Sequence, residues 1–147
     1  NSIKIARASG GDLHLITNSS DGMIPYGQMH NWQTASVNLA SKALEISQNY
    51  DENLVFCFDT PFAHAPYYIN LQKAGFGVKD VKSIIVFESD VFIHEPKNPS
   101  FERIGWEASA LKYAEFENSI IIANTGEFIS NHLIAHYGLS RDKSQHH

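Results

Sequence analysis

Three short apolar runs, none of them alternating, constrain this chain most: Leu54-Val55-Phe56-Cys57-Phe58, Ser83-Ile84-Ile85-Val86-Phe87 and Ser119-Ile120-Ile121-Ile122-Ala123. Each is rich in β-branched or aromatic side chains and too short for a core-facing helix. Continuous apolar runs of this kind mark strands buried on both faces, the pattern of parallel sheets flanked by helices. The intervals carry the helical signal. From Gln33 to Tyr50, Val37, Ala40, Ala43, Leu44 and Ser47 fall along one stripe, with Asn31 placed to cap it. Pro66 to Ala74 predicts a short helix, Pro66 suiting its first turn and Gly75 its stop. Arg103 to Ala114 sets Trp106, Ala110, Tyr113 and Ala114 on one side. Glu127 to Tyr137 spaces Ile129, Leu133 and Tyr137 at i, i+4, i+8 before Gly138.

The alternation of helix and strand predicts the α/β class, a Rossmann-like three-layer parallel sheet joined by right-handed crossovers. The first thirty residues break the pattern. Ile3-Lys4-Ile5-Ala6 and Leu13-His14-Leu15-Ile16 flank Gly10-Gly11, which predicts an irregular or β-hairpin segment. Asp21–His30 and Lys97–Ser100 read as loops.

Composition narrows the class of function. The 147 residues are 43% apolar, enough for a packed core and too apolar for a disordered tail. The net charge of −5 is spread through interspersed acids and bases, so no basic face for nucleic acid is expected. No run of about 18 apolar residues is present to span a membrane. Cys57 is the sole cysteine and sits inside a predicted strand, so no internal disulfide forms and a reducing, cytoplasmic setting is expected. The chain starts at Asn1, not Met, and stops abruptly after Ser144-Gln145-His146-His147. The expectation is one Rossmann-like domain over residues 1–147, an excerpt of a longer two-domain protein.

Open parallel sheets bind ligands beyond the carboxyl ends of their strands. That rule points to Asp59 and Thr60 after the first run, Glu88, Ser89 and Asp90 after the second, and Asn124, Thr125 and Gly126 after the third. Taken singly, Thr60 and Thr125 equally suit helix caps, and the acids suit solvent. Glu88, near Phe87 and Phe92, is expected in a dry setting that raises its pKa. His94-Glu95 adds a metal or general-acid candidate, but a metal needs three or four converging ligands, and none is expected. His132 and His136 share a helical face, yet Leu133 follows the first histidine where metalloproteases carry Glu. There is no Walker loop, no Gly-x-Gly-x-x-Gly and no Gly-x-Ser-x-Gly elbow. No lysine follows the last strand, which sets aside a response-regulator-like reading.

In order and spacing the segments resemble a known family. Leu54 through Asp59 to Pro66-Tyr67-Tyr68-Ile69 resembles the "strand, His-Asp, helix beginning Ala-Pro-x-Tyr-Leu" segment of retaining GT-B glycosyltransferases, in the group of the glycogen and starch synthases. Lys82–Glu88 looks like the following strand. Glu107–Ala114 with Ile120–Thr125 resembles the "Glu-x-x-Ala-Leu-x-Tyr-Ala-Asp, then a strand ending in Val-Ser" signature. Phe128–Ile134 and Tyr137-Gly138-Leu139 match the next helix and its exit. At the amino-terminal side, His14–Asn18, the Tyr26-Gly27 loop and the helix before the first run are similar too. The similarity covers residues 12–143. Two positions depart from it: Phe58 replaces the histidine before the aspartate, and Glu88 replaces the sugar-contacting histidine that ends the next strand.

The resemblance implies the acceptor-side domain of an enzyme that transfers a hexose from a nucleotide sugar, with retention, to a glycan or small acceptor. The glycine-rich first loop would lie upstream of Asn1 and the nucleotide-binding domain downstream of His147. Asp59 and Glu88 would be the catalytic pair, and Thr60, His64, Ser89, Asn124 and Thr125 the substrate contacts. No metal or other cofactor is implied. Tyr67 and Trp106 are candidates for stacking on sugar rings, with core packing the better reading of Trp106. Its partners would be donor, acceptor and the missing C-terminal domain, with self-association to cover an exposed patch. The alternative is a non-catalytic Rossmann-like module that binds carbohydrate or protein and kept the scaffold after losing the histidines.

Overall fold

The computed structural model describes residues 10–16 and 28–146, the side chains of 144–146 excepted. A long helix, α1 (Met29–Ser47), leads into β1 (Leu54–Phe58), a 3-10 turn at Thr60–Phe62 and α2 (Ala65–Gln72). Then follow β2 (Lys82–Phe87), the single turn α3 (Val91–His94), α4 (Phe101–Phe116), β3 (Ile120–Asn124), α5 (Glu127–Tyr137) and β4 (Ser144–His146). The sheet order is β1-β2-β3-β4, every pair parallel. Gly138 ends α5 in the left-handed region at φ 68°, as its position predicted.

Because each crossover steps one strand in the same direction, the described helices fall on one face of the sheet. Register puts Cys57 beside Ile85 and Ile85 beside Ile122 on that face. There Ile85, Phe87, Ile120 and Ile122 pack with Ala110, Leu111 and Ala114 of α4 and Ile129 and Leu133 of α5. A second cluster joins Ala40 and Leu44 of α1 to Ile69 of α2, Val78, Val81 and Val55 of β1. Burying a side chain of this size contributes about 1.5–3 kcal/mol.

The opposite face carries Phe56 beside Ile84, Ile84 beside Ile121, and Phe58 beside Val86. Among the described residues no helical layer covers it: Leu54, Phe56 and Phe58 are 54%, 49% and 55% exposed. The described residues thus form two layers, one sheet and one set of helices, and the expected third layer is not among them.

Residues 10–16 are irregular, one of the two forms expected there, and residues 3–6, the expected hairpin partner, lie outside the described residues. Two local expectations are corrected. Met29 and His30 belong to α1, not to the preceding loop, the rest of which is outside the described residues bar Gln28. Asn31 is not the N-cap: Gln28 holds that position, and Asn31 lies inside the first turn, 2% exposed, its side-chain amide without a hydrogen-bond partner.

Candidate functional site

The carboxyl ends of β1 and β2 open into a cavity of about 530 Å³ lined by Asp59, Glu88, Ser89, His94, Glu95 and Arg103. Asp59 leaves β1 with its N–H donated to Val86 O at 3.0 Å. Its backbone then turns to φ 72°, ψ 160°, a region that only glycine enters freely, at a cost of about 1–3 kcal/mol. The Asp59 carboxylate holds this turn by accepting from Thr60 N at 2.8 Å. Across the cavity, Ser89 Oγ lies 2.6 Å from His94 Nε2. Asp90, fully buried, caps α3 by accepting from Ile93 N, and its second oxygen stands 3.3 Å from His132 Nδ1.

The wall formed by α4 is built from the inside. Glu107 is fully buried, and its carboxylate accepts from Val91 N at 3.0 Å, from Arg103 Nε at 2.9 Å and from the Tyr137 hydroxyl. Burial pushes the Glu107 carboxyl above its ordinary value, and the bonds from Tyr137, Val91 and Arg103 only partly oppose this. Burial likewise raises the Tyr137 phenol, with the Glu107 bond adding to it. Arg103, 8% exposed, is fixed by Glu107 below and by the Trp32 ring, 5.4 Å from its Cζ. Glu95 Oε1 stands 3.7 Å from Nη1, and Nη2 has no acceptor. A buried donor left unmet costs about 1–3 kcal/mol.

Of the residues expected in the site, the fold brings Asp59, Glu88 and Ser89 together. The others stand apart from the cavity lining. Thr60 is fully buried and its hydroxyl has no partner, while its carbonyl accepts from Trp106 Nε1 at 2.8 Å. His64 packs its ring 4.1 Å from that of Trp106, and its Nε2 meets Trp106 O at 2.9 Å. A carbonyl only accepts, so Nε2 carries the proton; burial lowers the affinity of this imidazole for a second one. Asn124 faces inward, 4% exposed, and its side chain accepts from Gly126 N. Thr125 is exposed and contributes a backbone bond to Phe87 O. Neither threonine caps a helix: Asp59 and Gly126 hold those positions.

Glu88 is exposed, so the dry setting expected of it is not found. The dry carboxyls are Asp90 and Glu107 instead. Trp106 packs edge-on against Trp32 at 6.0 Å, as the packing reading of it expected. Tyr67 lines a separate depression between α2 and α4 with Tyr113, and its ring also meets that of Tyr68 edge-on. His132 and His136 belong to a ring stack with Phe92 and Phe128, and among the described residues no three ligating side chains gather for a metal. Arg103 is the site residue that sequence reasoning missed. Its signal was its place seven residues before Ala110 and four before Glu107, on the stripe that faces the core.

A second cavity of equal volume lies at the amino ends of β1 and β2, lined by Asp51, Glu52, Asn53, Leu54, Asp80 and Lys82. It lacks a strained residue and a buried unmet donor, and it sits at the wrong edge for the strand-end rule. No family model matches the chain, and no curated protein matches it in sequence. No helix among the described residues is long and apolar enough to cross a membrane.

Proposed function

We propose that this chain forms the acceptor-side part of a retaining GT-B glycosyltransferase, which moves a hexose from a nucleotide sugar to a glycan or small acceptor. The observation that carries this reading is the cavity at the ends of β1 and β2, where Asp59, Glu88 and Glu95 face Arg103 and the Ser89–His94 pair. Carboxylates accept from sugar hydroxyls in pairs, and a guanidinium donates to their oxygens. Asp59 and Glu88 orient the acceptor, so catalysis here is mostly positioning. Ser89 supplies a further hydroxyl contact, while Thr60, His64, Asn124 and Thr125 support the cavity from outside it. The donor's phosphates belong on another domain, since this wall presents carboxylates.

The bare face of Phe56, Phe58 and Ile121 fits the same reading. Further βα units of a Rossmann-like domain would cover it and complete three layers. Cys57, reduced and buried, fits a cytoplasmic setting. The alternative, a non-catalytic carbohydrate-binding module, rests on Phe58 and Glu88 standing where the family carries histidines.

The deciding experiment is hexose transfer from labelled nucleotide sugars by the protein at its full natural length. The expected result is product of retained anomeric configuration, reduced about tenfold or more by Glu88→Gln, equivalent to about 1.4 kcal/mol. Sugar binding without transfer to any acceptor favours the module.

A further inference from the structure

We infer that Arg103 is a ligand-binding residue of the strand-end cavity, donating from Nη2 to an oxygen of a neutral polyhydroxylated acceptor whose own hydroxyls donate to Asp59, Glu88 and Glu95. The inference rests on the reading of this cavity as a carbohydrate site.

Three observations carry it. First, Arg103 is held rigid: Nε donates to buried Glu107 and the Trp32 ring covers the guanidinium, so this side chain is preorganised and not searching for a partner. Second, Nη2 has no acceptor although Arg103 is more than nine-tenths buried and lines the cavity. Such a donor calls for an oxygen. Third, the charge of Arg103 is already balanced by Glu107, while Asp59, Glu88 and Glu95 line the same space. A phosphate or carboxylate on the ligand meets three acids there, with no lysine or second arginine among the described lining residues to offset them, and like charges at close range oppose binding. A hydroxyl group donates and accepts at once, so a neutral polyol satisfies both walls.

Glu95 borders the guanidinium and is held by Ser100, whose N–H donates to its Oε2 at 2.8 Å. Its Oε1 stands 3.7 Å from Nη1, beyond hydrogen-bond range, and its side chain is partly exposed. Nη2 is closed to solvent in the present shape, so a ligand oxygen reaches it only with a small shift of the surrounding wall.

The test uses the intrinsic fluorescence of the full chain, because Trp32 lies over Arg103 and Trp106 packs on Trp32. Maltose is the neutral probe; glucose 6-phosphate and glucuronate are the anionic ones. Saturable binding of maltose is expected, with the anionic probes about tenfold or more weaker at low salt. Arg103→Lys should weaken maltose binding about tenfold or more, because an ammonium cannot keep both the Glu107 bond and a second fixed donor. Since Arg103→Lys strains the buried pair, the double variant Arg103→Met with Glu107→Gln removes both charges together and provides a folded control. Glu88→Gln with Glu95→Gln should bring the anionic probes closer to maltose. A folded double Met/Gln variant that binds maltose like the wild type overturns the inference. So does glucose 6-phosphate binding as tightly as maltose, or no binding of any probe. Arg103-dependent maltose binding in a full-length protein that transfers no hexose supports the inference and overturns the transferase reading alone.

Discussion

Arg103 and Glu107, one turn apart on α4, form a buried ion pair, Nε to Oε1 at 2.9 Å. The pair ties the cavity wall to the core, because the same carboxylate also receives the Val91 N–H at the start of α3 and the Tyr137 hydroxyl from α5. A change at this one side chain therefore reaches α3, α4 and α5 together.

Glu107→Ala leaves Arg103 buried without its counter-ion and leaves Tyr137 and Val91 without an acceptor. Urea denaturation should show a loss of about 3–5 kcal/mol. Substituting Arg103→Met and Glu107→Gln together should cost much less than the sum of the two single changes, since neither charge is then stranded.

The same carboxyl gives a pH dependence. Burial raises it above its ordinary 4.5, so the folded state holds this proton more tightly than the unfolded chain does. The stability it contributes is full below 4.5 and is lost as pH rises through the folded value. Relative to Glu107→Gln, the wild type should be most stable near about pH 4 and lose ground as pH rises. His64 runs the other way. Its depressed value means its contribution is full above the ordinary 6.5 and is lost as pH falls through the folded value. His64→Gln should flatten that acid limb alone.

Cys57 is fully buried in β1, and burial pushes its thiol up to about 12. Thiolate is the reactive form, so the native protein should resist alkylation near about pH 8. One thiol per chain should appear on unfolding. Labelling of the native chain at the rate of free cysteine would contradict the packing of β1.

Asp59→Gly should separate stability from function. Glycine relieves the φ 72°, ψ 160° backbone, at the loss of the carboxylate bond to Thr60 N. We expect a net gain of about 1 kcal/mol in thermal denaturation. Asp59→Ala keeps the strain, loses the bond and should destabilise by about 1 kcal/mol. Both variants should bind saccharide more weakly.

The strands were legible because their apolar runs leave few alternatives, and Leu54–Phe58 matches its strand at both ends. β4 was not legible: Ser144–His146 carries no apolar signal and is a strand only because it lies in register with Ile122–Asn124. α3 is a single turn, too short for periodicity, and depends on the Asp90 cap and the Val91–Glu107 bond. The strand-end rule named Asp59, Glu88 and Ser89, which line one cavity. Asn124 also ends a strand, yet it points to the helical face in register with Phe87. Arg103 was hidden because a charged residue on a core stripe is explained only by partners distant in sequence, Trp32 above all.

The proposed sugar binding at the carboxyl edge of β1 and β2 is tested by a ¹H–¹⁵N correlation spectrum of the labelled chain titrated with maltose. Saturable shifts are expected at Asp59, Thr60, Glu88, Ser89, His94 and Glu95, together with the Trp32 and Trp106 indoles, as is their loss in Glu88→Gln. Shifts centred instead on Asp51, Asn53 and Asp80 at the opposite edge, or none at all, would contradict it.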